Sequence, residues 1–482
     1  EGDTKSISLK TKGIYLLYKG DLNLVNGYIE PGWSVTKTFT IENQGNEIEK
    51  YNIYIKDLVN TFVTEGYLQY KITSSNGYNM SEYKDIPKAE SKTDTVLAYS
   101  VTINPKEEQE YTIELIYKDT EEDQSEDMGK ILSGTLNIQE GTINSVPLLT
   151  VILRDNPTRR TRSNDNNGTN DFATPFTETT TGTVFTSTES ITGITDEPQE
   201  VYYYAGNTTN NWVKFAGFYW RIIRTNHDGS IRLLYVGTNH DTTSGNIGES
   251  KFNESYDSPK YVGYKYGEDA TIDAIRTNTN DSAIKTFIET WYQNNLLVNY
   301  DKYISKTAIY CNDRNEGPGQ VYDYVSSPAS QFNFASYYRM DYNTNGSLSN
   351  PTYNCTDIRD AFSVENTSAI LKYPIALMTS DEISFAGGTT NQKMSTPYAW
   401  FISNSVGTQV SNYWWSLSPL RWDSDYARAW YWSRGAAYIS SNSVNLANGV
   451  RPVISLKSCT LYDTGDGTAE NPYTILETNS GC

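Results

Sequence analysis

The sequence predicts a multidomain chain, an all-β sandwich followed by a mixed α/β domain, and three observations carry that prediction. Its 482 residues exceed what one ordinary core organises. Residues 5–140 alternate apolar and polar positions in short runs with no helical period. Beyond Val201 the texture changes: aromatic residues crowd together and a helical pattern enters. Domain boundaries follow, with a sandwich over 1–153, a polar linker over 154–172 and a larger domain over 173–482.

In the first region the strand runs are WSVTKTFTI (33–41), YNIYI (51–55), LQYKI (68–72), VLAYSVTI (96–103) and EYTIELIY (110–117). Gly, Asn and Pro separate them, as in the charged turn INPKEEQEY (103–111). Repeated strands with turn signals between them suggest an immunoglobulin-like sandwich. The acidic tract DTEEDQSED (119–127) reads as a solvated loop and shows no calcium-loop pattern.

The segment RDNPTRRTRSNDNNGTNDF (154–172) has little apolar content and reads as linker. Thr-rich sequence with the strand-like GTVFTS (182–187) follows it. VKFAGFYWRIIR (213–224), the turn TNHDGS and IRLLYVG (231–237) form a predicted β-hairpin, with Asp-Gly supplying the turn. A helix is predicted over 281–298, capped by Asp281, with Ile284, Phe287, Ile288, Trp291, Leu296 and Leu297 approximating one face. YPIALMTSDEISFAGG (373–388) reads as a core strand turning into a short helix capped by Ser380. An aromatic, polar-rich stretch from SNYWWSLSPL (411–420) leads to the final GVRPVISL (449–456).

Composition excludes several classes of function. The net charge of −19 repels nucleic acid and anionic membranes, and the only basic run, 154–162, lies in linker-like sequence. No stretch reaches the roughly 18–20 apolar residues of a membrane span. The opening at Glu1 in polar sequence is that expected of a mature or trimmed secreted form. Cys311, Cys355, Cys459 and Cys482 lack C-x-x-C spacing, so disulfides in an oxidising compartment are expected. Pairing of chain neighbours favours Cys311–Cys355 and Cys459–Cys482, with free buried thiols the alternative.

Catalytic signals are sparse. His227 and His240 have no third ligand at metal spacing, and His227 is expected to be exposed in its turn. There is no nucleophile elbow, zinc-protease motif or phosphate loop. Plentiful carboxylates leave a glycosidase pair open, but nothing singles one out. The expectation is therefore a non-enzymatic protein without metal or cofactor. The 39 Tyr and 10 Trp point instead to half-wet surfaces, since each ring buries an apolar face while keeping a polar handle.

Two resemblances add to this reading. NGYIEPGWSVTKTFTIENQGN, YNIYIKDL and YTIELIYKD…GKILSGTLNI, in that order within 26–138, resemble the TasA/camelysin type of Gram-positive secreted sandwich domain. That resemblance implies a surface or matrix role. The ordered set KFAGFYWRIIR, DGSIRLLY, YVGYKYG, AIK…WY, YCNDR, YPIALMTSDEISFAGG, YWWSLSP and GVRPVISL covers 214–456. It is similar to the C-type-lectin-fold module of bacterial diversity-generating-retroelement variable proteins and their non-diversified relatives. The fold so implied is a compact mixed α/β structure of the formylglycine-generating-enzyme branch. The Glu-Pro-Asn, Gln-Pro-Asp and Trp-Asn-Asp motifs of calcium-dependent sugar binding are absent, and the loop DTGDGTAEN (463–471) reads as a final turn rather than a calcium loop.

In that family the variable segment lies between the WW-x-x-SP and GVRP elements, here 420–448. Trp422, Trp430, Trp432, Ala427, Ala429 and Gly435 resemble its framework. Leu420, Arg421, Asp423, Asp425, Tyr426, Tyr431, Ser433, Arg434, Ala436, Ala437, Tyr438, Ser440 and Ser441 are the candidate ligand-binding residues. All are reachable from an Asn codon by adenine-directed mutagenesis, and Lys and Glu are absent throughout 420–448. Tyr, Ser, Asp and Arg over a rigid aromatic floor is also antibody-paratope chemistry. Tyr426, Tyr431, Tyr438, Arg421, Arg434, Asp423 and Asp425 are expected to make most contacts, with Trp415, Trp422 and Trp430 as the floor. The resulting expectation is an extracellular bacterial surface adhesin for a protein or glycan on another cell, phage or host. The alternative is a structural subunit of a surface fibre or biofilm matrix.

Overall fold

A computed structural model describes the chain except residues 1–4, 12–13, 21–22, 26–27, 47, 65, 121–122, 141–145, 164–170, 323–330, 341–349, 391, 411–412, 478–480 and 482. It also leaves out the side chains of 5–11, 14–20, 90, 99–100 and 140. The protein is β-rich, with several sheets, and divides into two compact units, Glu1–Val146 and Pro147–Cys482.

In the first unit the predicted runs become strands Ser34–Asn43, Glu49–Asn60, Leu68–Ser74, Ala89–Ile103 and Glu108–Tyr117. Each outgrows its apolar centre because ladder hydrogen bonds extend into polar flanks. One sheet runs, in spatial order, Lys5–Thr11, Ile14–Gly20, Ser34–Asn43, Glu108–Tyr117, Leu68–Ser74 and Lys84–Asp85. The other places Glu49–Asn60 between Ala89–Ile103 and Leu132–Glu140. The two sheets share one core, to which Phe39, Ile41, Ile72, Ile113 and Leu115 come from the first and Ile53, Ile55, Leu136 and Ile138 from the second. Along Glu108–Tyr117 every second residue is buried, from Gln109 to Tyr117, as a pleated strand with one inward face requires.

The acidic tract is only partly the solvated loop expected of it. Asp127 is buried and accepts from the Val63 and Thr64 amides and the Tyr117 hydroxyl. Burial would raise its carboxyl, yet those amide donors hold it below the usual carboxylate range.

The second unit begins before the expected boundary. Helix Leu148–Asp155 and strand Thr158–Thr161 belong to it, so part of the predicted linker is structured. Thr158–Thr161 pairs in parallel with Thr183–Glu189 and forms the sheet edge, a position that suits the exposed Arg160. This edge opens a nine-stranded sheet whose path continues through Gln199–Tyr203, Phe218–Thr225, Ile231–Gly237, Pro452–Leu456 and Ala376–Leu377. The predicted strand 213–224 is itself a hairpin, Trp212–Phe215 and Phe218–Thr225, turning at Ala216 and Gly217 with φ of 56° and 78°. Gly217 takes that left-handed conformation without a Cβ penalty.

Helix Ala283–Asn295 is capped by Ser282, whose side chain accepts from the Lys285 amide. Asp281, the predicted cap, instead pairs with the Lys285 ammonium. Likewise Thr379, not Ser380, caps helix Ser380–Ala386, completing a capping box with Glu382. Cys311–Cys355 is a disulfide, with Cα atoms 5.8 Å apart and a sequence separation of 44. Closing a loop of that length removes roughly 4 kcal/mol of unfolded-state entropy in the chain-entropy description. Cys459 is also disulfide-bonded, whereas its expected partner Cys482 lies outside the described residues.

Candidate ligand-binding surface

A second sheet of the larger unit carries the candidate segment. Its order is Glu249–Lys251, Ala447–Gly449, Trp414–Trp422, Ala427–Ser433 and Tyr438–Ser443, with Phe332–Asn333 also pairing to Trp414–Trp422. The last three consecutive strands, Trp414–Trp422, Ala427–Ser433 and Tyr438–Ser443, form a meander. Between Trp415 and Pro419 the first of them leaves its partner, and the Leu417 amide donates to the Met378 carbonyl. The Ser418 hydroxyl accepts from the Ser380 amide at 3.0 Å. The Ser-Leu-Ser interruption thus ties the meander to the start of helix Ser380–Ala386, leaving the flanking Trp residues to pair.

Directly opposed residues share a face of a sheet. Trp415, Tyr431 and Ser440 lie in one cross-strand row, and Tyr438 falls on the same face opposite Ser433. Tyr413 adds to it: its ring stacks on Tyr431 with centroids 5.8 Å apart at 24°, while Trp415 tilts against Tyr431 at 6.1 Å. Gly435 permits this arrangement, because a Cβ there would meet the Tyr413 hydroxyl at 2.8 Å. The opposite face carries Trp414, Trp432 and Ile439 in one row and Trp430 with Ser441 in the next. Trp432 is fully buried with its ring edge-on to Phe401 at 5.0 Å, and the Trp430 indole donates to the Ser336 hydroxyl at 3.2 Å.

The predicted residues therefore divide. Tyr431, Tyr438 and Ser440 meet on the tyrosine face. Arg421, Asp423 and Tyr426 gather at the first turn, where Asp423 accepts from Arg421 at 3.1 Å and from Arg428 at 3.0 Å, and Arg428 lies over the Tyr426 ring at 4.7 Å. Asp425 is exposed in that turn, Arg434 and Ala436 occupy the second turn, and Ser441 is half-buried on the reverse face. Three predictions need correction, since Leu420, Ser433 and Ala437 are 3–4% exposed. The Leu420 carbonyl accepts from the Phe334 amide, Ser433 closes the second turn, and the Ala437 carbonyl accepts from Met394. Other chain segments thus meet Leu420 and Ala437, and its own turn encloses Ser433.

Two residues of the surface were missed. Tyr413 precedes the segment, but period-two spacing from Trp415 places it on the same face. Arg428 lies between the framework alanines on the face of Trp430 and Trp432, and it stays half-buried at the first turn, where it pairs with Asp423.

A cluster of ionisable groups lies elsewhere, in the core. Arg224 pairs with Glu189 at 2.8 Å and with Glu382 at 2.9 Å, and Arg232 also bonds Glu382. Arg339 bridges Asp313 and Asp381 nearby. These groups line a cavity of about 20 Å³, room for about one water and too small for a substrate. His227, predicted to be exposed, packs its side chain beside Glu189, 3.6 Å from the carboxylate and only 9% exposed. Among the described residues no group of three or more His, Cys, Asp or Glu is placed to hold a metal ion. The loop 463–471 satisfies itself, with Asp466 accepting from the Thr468 amide and hydroxyl.

Burial alone would raise the Glu189 carboxyl, but Arg224 and the His227 contact hold it down to about 2. A folded pKa below the unfolded value near 4.3 stabilises the protein above that value, and the contribution is lost as pH falls. The second unit should therefore lose stability steeply between about pH 4 and pH 2. Urea midpoints measured at a series of pH values check this, and a midpoint flat across that window would refute it.

No protein-family profile matches the chain, and no curated protein matches it. One solved structure that aligns with it is described as "AvmM Catalyzes Macrocyclization in Alchivemycin A Biosynthesis". It has a TM-score of 0.16 and 11% identity, covering 28% of this chain and 94% of that one.

Proposed function

We propose that this chain is a cell-surface adhesin, an immunoglobulin-like unit bearing a C-type-lectin-fold unit that binds its ligand through the meander at 413–443. The observation that carries this reading is the tyrosine face: Tyr413 stacked on Tyr431 beside the buried Trp415, with Tyr438 one strand away. Tyrosine offers large contact area at low conformational-entropy cost, and a packed tryptophan layer beneath keeps the rings from collapsing. The Arg421–Asp423–Arg428 cluster adds charged groups at the first turn of the same meander.

The segment is read as diversified. Sequencing this gene from many cells of one population should find substitutions at Tyr431, Tyr438, Arg421 and Asp423, with the covered Leu420, Ser433 and Ala437 restricted to residues of similar size. Variation falling equally on Trp430 and Trp432 would refute the reading.

Tyr431→Ala and Tyr438→Ala should each weaken attachment by about 2 kcal/mol, roughly 30-fold, while leaving the fold intact. Flow cytometry of fluorescently labelled chain on whole cells and phage from the same community measures this. Unchanged attachment by both variants would remove the tyrosine face from the site.

A second reading, a fibre subunit, draws on Ala89–Ile103, a 15-residue strand at the edge of its sheet. Long unpaired edges invite strand addition. Filaments of the full chain in negative-stain electron microscopy would favour that reading over a dispersed adhesin.

A further inference from the structure

The larger unit also has a concave surface, built by other residues than the tyrosine face, that the adhesin reading does not use. It is a groove of about 640 Å³ between Ser250, Glu254 and one side of helix Ala283–Asn295. That volume falls in the range of small-molecule sites, roughly 300–1,000 Å³.

Helical periodicity builds its floor and its rim. Ala283, Phe287 and Trp291 recur every four residues and form an apolar stripe; Thr286, Thr290 and Asn294 recur at the same spacing beside it. Both rings are held in place. Trp291 packs against Phe218 at 5.3 Å and Tyr235 at 5.5 Å, and Phe287 lies so close to Gly248 that a Cβ there would meet it at 3.0 Å. Each remains half-buried, so part of the ring faces the groove.

The rim is rich in acceptors. The Thr286 hydroxyl donates to the Ser282 carbonyl at 3.2 Å, Thr290 to Thr286 at 2.8 Å and Ser250 to Lys251 at 2.8 Å. A hydroxyl has one proton, so each oxygen is left with lone pairs to offer a ligand. Glu254 also only accepts, and Lys251 at 2.7 Å balances its charge. A complementary ligand must bring several hydrogen-bond donors, carry no net charge and present an apolar face to two aromatic rings. Sugar rings do all three, with hydroxyl groups around the edge and C–H bonds on the face.

We propose that this groove is a carbohydrate-binding site for one or two neutral sugar rings. It binds without calcium, through ring stacking on Phe287 and Trp291 and hydroxyl donation to Thr286, Thr290 and Glu254. The groove adjoins the meander sheet, since the Ser250 carbonyl accepts from the Trp415 indole at 3.0 Å. A glycan held there would lie beside the tyrosine face.

The test is calorimetry and saturation-transfer NMR on the full chain with cellobiose, maltose, lactose and diacetylchitobiose. At least one should bind saturably. Thr286→Val with Thr290→Val removes the acceptors at exposed positions while keeping side-chain size. It should weaken that binding at least about tenfold, near 1.4 kcal/mol, with the thermal melt unchanged. Asn294→Ala gives an independent check at the same rim and should also weaken binding. Tyr431→Ala should leave it unaltered, which separates this site from the adhesive one. Saturable binding by none of the four sugars, full binding by the double valine variant, or binding of tetramethylammonium in their place would each overturn the proposal.

Discussion

Glu382→Ala is expected to lower the stability of the second unit by about 3–5 kcal/mol, a large share of the roughly 5–15 kcal/mol a domain possesses. Glu382 is 1% exposed and accepts from Arg224, Arg232 and the Thr379 amide. Burial would raise its carboxyl, yet Arg232 and Arg224 hold it low, so it stays ionised in the core. Removing it leaves Arg232, 1% exposed, with no carboxylate among its described partners, while Arg224 retains only Glu189. The capping box of helix Ser380–Ala386 is lost in the same step. Urea denaturation followed by near-ultraviolet circular dichroism should show the drop. A change under about 0.5 kcal/mol, the range of ordinary surface substitutions, would mean that these arginines are stabilised by other means.

Trp432→Ala is expected to cost about 3–5 kcal/mol, whereas its neighbour Tyr431→Ala should cost far less. The two residues are adjacent in sequence, but the pleat sends them to opposite faces. Trp432 is fully buried against Phe401, while Tyr431 is half-buried and stacked on the exposed Tyr413. Thermal unfolding of both variants reads the difference directly. Equal destabilisation would show that the tyrosine face is a structural layer and would weaken the adhesin reading.

Much of the architecture was legible in the sequence because strand periodicity is local. The runs at 51–55, 68–72 and 110–117 lie within observed strands, that at 33–41 does so apart from Trp33, and Asp-Gly marked the 225–231 hairpin turn. Chain proximity also anticipated the Cys311–Cys355 disulfide. Helix caps were displaced by one residue, since Asp281 and Ser282, or Thr379 and Ser380, are chemically interchangeable as caps until backbone angles choose between them.

The candidate surface divides in the same way. Alternation in Ala427–Ser433 separated the outward Tyr431 from the buried Trp430 and Trp432. It could not show that Phe334 and Met394 cover Leu420 and Ala437, because those segments arrive from far along the chain. Nor could it show the Arg224–Glu189–Glu382–Arg232 network, whose members come from separate strands and a helix. Period and hydrophobicity assign residues to alternate faces of each strand, and both are local properties of the sequence. Which faces stay open and which charges find partners follows from the packed chain, because burial and pairing depend on contacts between residues remote in sequence.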